Sequence, residues 1–307
     1  MLVLVVVAWS GLSPASGAEP GADEDYRNVT DGLTALHMAG TAGGVALQGR
    51  RAFPLAISSQ RQIVLAAGYY DDRPRGGRIV AMAHTSFADA TSDEQTLFLK
   101  NVARWAGRAD VPRVVCVGAT PKGWLAADLK AVPVTTDLPK SLSEADVAVV
   151  NLHSGAMTGA LSALKEFAAQ GGGVILVATP WAAAAPQLEA ANDFLAPAGL
   201  TFTAHGSKES AYPVLPDAPS PFLSFLNAID GAMAHKKGLK KLDLADQQTC
   251  AATLDAVLSA KTLPAGFQAE VAELSKTFGR VPKAVATTGK NTQPLEAAIA
   301  RYQARVP

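Results

Sequence analysis

The sequence is poor in charge and in cysteine, and each shortage excludes a class of protein. Charged residues make up 18% of the 307, and 27 basic side chains balance 27 acidic ones, so no basic surplus predicts a nucleic-acid partner. Hydrophobic residues make up 49%, which excludes an intrinsically disordered chain. Cys116 lies in the run RVVCVG, which is typical of a buried strand. A core thiol is therefore favoured over a nucleophile or a disulfide with Cys250.

The sequence also lacks the motifs of several enzyme classes. The residues after its five histidines exclude H-E-x-x-H, and no G-x-S-x-G nucleophile elbow is present. The segment Gly40–Gly49 lacks the G-x-G-x-x-G spacing of a dinucleotide site, and is interpreted as a loop and strand edge. His84 and His153 have no evident carboxylate partner, so a metal site would rest on two ligands. We expect neither a metal nor a cofactor.

The amino terminus has the pattern of an export signal. Leu2–Trp9 is an apolar core too short to span a bilayer, and Ser16 and Ala18 fit the small residues before a cleavage site. No Lys or Arg precedes this core, which departs from the usual signal. We interpret residues 1–18 as a cleaved export signal, which predicts an extracytoplasmic (secreted or periplasmic) protein. No later segment predicts a transmembrane helix.

The segment Asp146–Trp181 predicts a strand–helix–strand unit. Val147–Leu152 and Val174–Ala178 are short apolar runs rich in β-branched residues, which are typical of buried parallel strands. Apolar residues recur between them at helical spacing. Gly171–Gly173 then ends the helix, because glycine tolerates the left-handed conformation that a helix terminus needs. The unit predicts a parallel sheet covered by helices.

The rest of the chain divides around this unit. Residues 19–35 are polar and rich in Gly, Pro and Asp, and are interpreted as a linker, with a short helix expected over Thr30–Met38. Residues 36–221 are predicted to form the α/β domain, which begins with the hairpin-forming runs FPLAIS, QIVLAAGYY and RIVAMAH. Residues 222–307 have helical periodicity and are interpreted as a helical annex or connector. The end at Pro307, directly after a helical stretch, suggests a longer protein.

These features predict a three-layer α/β fold, with a mostly parallel sheet flanked by helices, a β-hairpin-rich start and a C-terminal helical annex. In such sheets, ligands bind at the carboxyl ends of the strands. Hydroxyl groups, imidazoles and an indole fall at that edge here, and predict a polar pocket with an aromatic platform for a neutral ligand such as a sugar. The alternative is that these side chains anchor loops by hydrogen bonds. The candidate pocket residues are His84, Thr120, His153, Ser154, Thr179 and Trp181.

The turn after the second strand of the unit argues against acyl-transfer chemistry. Amidotransferases and related hydrolases place a nucleophile on a strained turn at this point. Here the turn reads Ala178-Thr179-Pro180-Trp181. Thr179 is a poor nucleophile without a strong base, and Pro180 removes the amide N–H that would serve as an oxyanion donor. We therefore assign no catalytic residue.

Several stretches resemble a known family: GGRIVAMAHTSF, FLKNVARWAG, ADVAVVNLHSG and LKEFAAQGGGVILVATPW. They are similar to the amino-terminal region of the enhancin-like, mucin-targeting (peptidase M-sixty-like) metallopeptidases, a group that includes the TRP channel-associated factors. The resemblance covers Phe53–Ala204. It implies a class I glutamine amidotransferase-like fold that has lost its catalytic cysteine. It also implies that the helical annex connects to a downstream peptidase domain.

The family's zinc motif H-E-x-x-H is absent, so its peptidase activity is not carried over to this chain. The resemblance then implies an exported, non-catalytic module that binds or scaffolds a glycoprotein, a carbohydrate or a protein partner. The alternative is a hydrolase of the amidotransferase-like superfamily that uses His84, His153 and Ser154. Imidazoles within reach of Ser154 or Thr179 in an open pocket would favour the hydrolase. Side chains tied to backbone groups would favour the module.

Overall fold

A computed structural model describes residues 21–59, 61–72, 75–119, 122–133, 138–154, 156–258 and 265–278. The predicted export signal lies outside these residues, as does the carboxyl-terminal end of the annex. The strands are β1 (Ala35–His37), β2 (Ala42–Leu47), β3 (Phe53–Ile57), β4 (Ile63–Tyr69), β5 (Arg78–Met82), β6 (Arg113–Val117), β7 (Lys130–Pro133), β8 (Val147–Asn151), β9 (Gly173–Val177), β10 (Leu200–Ser207) and β11 (Ala211–Pro213). The helices are α1 (Ala22–Thr30), α2 (Asp93–Gly107), α3 (Lys122–Ala126), α4 (Leu138–Ser143), α5 (Ala156–Ala169), α6 (Ala185–Leu195), α7 (Phe225–Lys236), α8 (Leu244–Leu258) and α9 (Ala265–Ser275).

A mixed seven-stranded sheet forms the centre of the fold, in the order β3-β4-β5-β9-β8-β6-β7. The first three strands are antiparallel, which confirms the predicted hairpin-rich start. The neighbours from β5 to β7 all pair in parallel. The predicted strand–helix–strand unit is confirmed as β8, α5 and β9, with Ala148 opposite Val174.

Helices cover both faces of this sheet. Residues alternate along β9, so that Ile175 and Val177 pack in one core with Trp105 of α2. Val174 and Leu176 point to the other core, which contains side chains of α5 and α6. This alternation follows from the two-residue period of a strand. The predicted three-layer α/β architecture is confirmed.

The interpretation of residues 19–35 as a flexible linker is wrong where the structure describes them. Ala22–Thr30 forms helix α1, which packs Tyr26 and Val29 into the core beside α2. The buried Asp25 carboxylate anchors the helix, because it accepts a hydrogen bond from Trp105 Nε1 at 2.8 Å and one from the Tyr69 hydroxyl. The buried side chains of Tyr26, Val29 and Asp25 therefore hold helix α1 against the core, although the segment is mostly polar.

Two short antiparallel pairs join segments that are far apart in the sequence. β1 pairs with β11, and β2 pairs with β10. The short helix expected over Thr30–Met38 is therefore wrong, since strand β1 lies within that range. Strand β2 lies within Gly40–Gly49, so the strand part of the loop and strand edge predicted there is confirmed. Pairing across about half of the chain brings both amino-terminal strands onto the α/β domain.

The predicted helical annex is confirmed in its described part, α7–α9. It has a small apolar core of its own, which includes Phe225 and Leu254. Polar contacts tie it to the α/β domain: Ser224 Oγ donates to Gly49 O at 2.5 Å, and Arg50 pairs with Asp230 at 2.7 Å. The annex is thus fixed against the loop between β2 and β3.

Both cysteines are free and buried, which confirms the predicted core thiol at Cys116. Burial raises the pKa of each thiol to about 12, so neither is a thiolate at neutral pH. In the residues that the structure describes, no helix is long and apolar enough to cross a membrane.

Candidate functional site

The carboxyl ends of β5, β8 and β9 lie at one edge of the sheet, because these strands are parallel neighbours. His84 follows β5, His153 follows β8 and Thr179 follows β9. The structure therefore brings these three residues to the same edge. Thr120, which follows β6, lies outside the described residues.

His153 is bound to the turn that follows β9. Its Nε2 atom accepts a hydrogen bond from the Thr179 amide at 2.8 Å, and its own amide donates to Asn151 Oδ1 at 3.0 Å. An imidazole nitrogen that accepts a hydrogen bond carries no proton. The contact therefore favours the neutral tautomer with the proton on Nδ1. It also occupies the Thr179 amide, which is one of the groups that could face a ligand.

His84 begins the short 3-10 turn Thr85–Ala88. Its Nδ1 atom accepts a hydrogen bond from the Ser86 amide at 3.1 Å and contacts the Ser86 hydroxyl. Burial lowers the pKa of His84, Asp89 opposes this shift and His153 adds to it. His84 is thus a neutral hydrogen-bond acceptor at neutral pH.

The depressed pKa of His84 predicts that the protein loses stability in mild acid. The unfolded chain, whose histidine pKa is about 6.5, takes up the proton before the folded chain does. The contribution of neutral His84 is therefore complete above the unfolded pKa, and is lost as the pH falls through the folded pKa. Urea unfolding at about pH 7.5 and about pH 5 measures this loss. His84→Asn keeps an acceptor for the Ser86 amide, and should show a smaller loss; an equal loss would contradict the assignment.

Ser154 and Trp181 are also bound to the backbone. Ser154 Oγ donates to Asn151 O at 2.8 Å, within its own turn. Trp181 Nε1 donates to Thr41 O at 2.8 Å, while 51% of the residue remains exposed. The indole edge is therefore fixed and much of the ring is open to solvent.

The segment Gly40–Gly43 crosses the ends of β5 and β9, which sequence analysis did not predict. The Gly43 amide donates to Ala83 O at 2.8 Å. A Cβ atom on Gly43 would lie 2.5 Å from Pro180 Cδ, and one on Gly40 would lie 3.0 Å from His84 Nε2. The only signal in the sequence is the spacing of these glycines, which allows the backbone to approach the strand ends. The candidate site is thus partly covered by the amino-terminal part of the domain.

The side chains at this edge that could act as a nucleophile or a base are engaged with backbone groups. The polar atoms of His84, His153 and Ser154 described above contact backbone groups, and Thr179 is 7% exposed. Pro180 has no N–H to offer, and the preceding amide is bound to His153. In the described part of the chain, no group of three His, Cys, Asp or Glu residues could hold a metal ion.

The α/β fold described above is shared with solved structures of a bacterial metallopeptidase. The chain is similar to the IMPa metallopeptidase of Pseudomonas aeruginosa, with a TM-score of 0.56 and 14% identity, over 83% of this chain and 33% of that one. The structure of IMPa in complex with an O-glycopeptide gives a TM-score of 0.55 at 13% identity, over 83% and 34% of the two chains. At this identity the likeness shows the fold alone.

Residues 15–217 match the family described as "TRPM8, N-terminal domain" (TCAF), and the chain belongs to this family. A segment of 84 residues is 32% identical to the TRPM8 channel-associated factor homolog of Xenopus laevis. That segment covers 27% of this chain and 9% of the frog protein. The chain also spans about a third of the length of IMPa. The resemblance to enhancin-like metallopeptidases and TRP channel-associated factors is therefore confirmed.

Proposed function

We propose that this chain is an exported, non-catalytic, amidotransferase-like module that binds a glycoprotein or carbohydrate for a metallopeptidase-type protein. The observation that carries this proposal is the turn after β9. Thr179 gives its amide to His153, and Pro180 has none, so the turn offers no pair of oxyanion donors. Related hydrolases place a nucleophile on this turn. In this chain, the hydrogen bond from the Thr179 amide to His153 instead joins the turn after β9 to the turn after β8.

The choice of ligand rests on Trp181 and on the structural neighbours. The solved IMPa structures include complexes with an O-glycopeptide and with T-antigen. In this chain, an exposed indole with a fixed edge beside hydroxyl and imidazole groups fits the apolar face of a sugar ring. A glycoprotein or carbohydrate ligand is therefore favoured over a purely peptidic one.

The setting of the module is part of the same proposal. Residues 1–18 have the pattern of an export signal, which supports an extracytoplasmic location. Peptidase chemistry would belong to a downstream domain, which the helical annex would connect to this one. Sequencing the amino terminus of the mature protein tests the location: cleavage after Ala18 would support it, and a retained Met1 would contradict it.

The alternative hydrolase is less well supported. It needs an imidazole that activates Ser154, but Ser154 Oγ donates to Asn151 O and His153 Nε2 accepts from the Thr179 amide. The hydroxyl that contacts an imidazole belongs to Ser86, and the Ser86 amide binds the same Nδ1 atom of His84. This arrangement is a turn cap, not an activated nucleophile.

Replacing Trp181 with alanine tests the proposed platform. Loss of the indole should weaken binding of an O-glycopeptide by about tenfold, because ring burial and stacking supply about 1–2 kcal/mol. Isothermal titration of the whole chain measures this change. Leu239→Ala removes another exposed apolar side chain, which is 68% exposed, and is the matched control. Equal binding by the Trp181→Ala variant and the parent would contradict the platform.

A further inference from the structure

A polar cleft lies at the opposite end of β5 from His84. It has a volume of about 530 Å³ and lies beside α1 and the end of α2. Three arginines line it: Arg78, at the start of β5, and Arg104 and Arg108, at the end of α2. This volume falls in the range of small-ligand sites.

Each of these arginines is held by a backbone carbonyl. Arg78 Nη1 donates to Trp105 O at 2.6 Å, Arg104 Nε donates to Asp110 O at 2.8 Å, and Arg108 Nη2 donates to Gly76 O at 2.8 Å. A neutral carbonyl fixes a guanidinium group without cancelling its charge. Three positive groups are thus positioned in advance around one cleft, which reduces the entropy cost of binding an oxyanion.

Positive charge is crowded at the base of the cleft. Burial lowers the pKa of Arg108, and the neighbouring charge of Arg78 lowers it further. The carboxylate of Asp25 lies 3.7 Å from Arg78 Nη2, and offsets part of this charge from inside the core. The buried Arg78 Nε atom has no hydrogen-bond partner among the described residues. An oxyanion in the cleft would reduce the repulsion between the two guanidinium groups.

The same cleft carries groups that suit hydroxyls. Asn28 and Asp31 are exposed on its wall, and Asn101 Nδ2 donates to Asp31 O at 2.9 Å. An exposed carboxylate such as Asp31 repels a polyanion, but accepts hydrogen bonds from vicinal hydroxyls. The lining therefore favours a ligand with one carboxylate and several hydroxyls over a phosphate group.

We propose that this cleft binds an acidic monosaccharide, whose carboxylate contacts the arginines and whose hydroxyls contact Asn28 and Asp31. The inference rests on the proposed carbohydrate-binding function, and names the class of sugar and a second place of contact. It does not depend on Trp181, which lies beyond the other end of the sheet.

The test is titration of the whole chain with glucuronate, glucose and acetate at low ionic strength. Glucuronate should bind at least about tenfold more tightly than glucose or acetate, because only it carries both the carboxylate and the hydroxyls. Arg104→Ala should weaken glucuronate binding by about tenfold or more, since a hydrogen bond to a charged group is lost. Lys130→Ala removes an exposed charge from β7, and should leave binding unchanged. Thermal unfolding of each variant checks that the fold is retained.

Three results would overturn the inference: no glucuronate binding, equal binding of acetate, or an unchanged affinity in the Arg104→Ala variant. Equal binding of acetate would mean a plain oxyanion site. Different results would contradict the proposed cleft and the proposed platform at Trp181. An O-glycopeptide that binds through Trp181 while glucuronate does not bind would contradict only the cleft. Glucuronate binding that needs Arg104, without any O-glycopeptide binding, would contradict only the proposed glycopeptide platform at Trp181.

Discussion

Replacing Asp25 with alanine should lower the free energy of unfolding by about 3–5 kcal/mol, the cost of breaking a buried charge pair. Asp25 is 5% exposed and accepts hydrogen bonds from Trp105 Nε1 and from the Tyr69 hydroxyl. Its other neighbour is Arg78, whose Nη2 atom lies 3.7 Å away. The substitution would leave two buried donors unpaired and Arg78 without its counter-charge. Burial raises the pKa of Tyr69, and hydrogen bonding to Asp25 raises it further, so the phenol remains the donor.

Denaturant unfolding measures this loss, with Asp23→Ala as the matched control. Asp23 is exposed on the same first turn of α1, so its removal should cost less than about 1 kcal/mol. A similar small effect for Asp25→Ala would contradict the account of α1 as a structural helix. It would restore the interpretation of this segment as a linker.

Replacing Gly77 with alanine should cost about 1–3 kcal/mol, the usual range for overpacking. A Cβ atom there would lie 2.2 Å from Gly172 O and 2.7 Å from Ala168 O. Both are backbone atoms, in the last turn of α5 and in the residues just before β9, so no side-chain rotation relieves the clash. The Gly77 amide also donates to Ala168 O at 2.8 Å, which ties the start of β5 to the same turn. The substitution would strain the contact between the start of β5 and the strand–helix–strand unit.

Gly159→Ala is the control for which we expect the opposite effect on stability. Nothing lies within 4 Å of a Cβ atom at that position. It lies on α5 and is exposed, so alanine should raise stability by about 0.5–1 kcal/mol through its higher helix propensity. Thermal unfolding of the two variants should shift the midpoint in opposite directions. A destabilised Gly159→Ala together with an unchanged Gly77→Ala would contradict the packing described for this unit.

The central sheet could be predicted from the sequence because its signals are local. The strands β8 and β9 are unbroken apolar runs, and the helix between them has a regular apolar stripe. Of the three glycines after this helix, one needs the left-handed conformation. Gly171 has the left-handed φ of 102°. Gly172 and Gly173 are needed for close approach, since Cβ atoms there would lie 2.4 Å from the Phe167 ring and 2.6 Å from Ala106 O.

The amino-terminal elements could not be predicted, because their partners are distant in the sequence. Strand β2 pairs with β10, and Leu47 lies opposite Leu200. The pattern of apolar residues within either strand does not indicate which distant strand it pairs with. Helix α1 was missed for another reason: its anchor is a carboxylate, and a charged residue in a polar segment usually lies at the surface.

The sequence predicts that His84, His153 and Thr179 lie at one edge of the sheet, but it does not predict their contacts. The rule for strand ends selected His84, His153 and Thr179, which the structure places at one edge. The bond from the Thr179 amide to His153 depends on how the two turns meet, and the cover formed by Gly40–Gly43 depends on the distant β2–β10 pair. Both features are contacts between residues far apart in the sequence, so no local sequence pattern predicts them.

The most direct test of the account measures binding and cleavage in one sample. The whole chain is mixed with a mucin-type O-glycopeptide, and separately with the same peptide after removal of its glycan. Native mass spectrometry then reports both the complex and the peptide mass. The account predicts that the glycopeptide binds at least about tenfold more tightly than the bare peptide, and that both peptides remain intact. Equal binding of the two peptides, or a peptide cleaved by the chain, would contradict it.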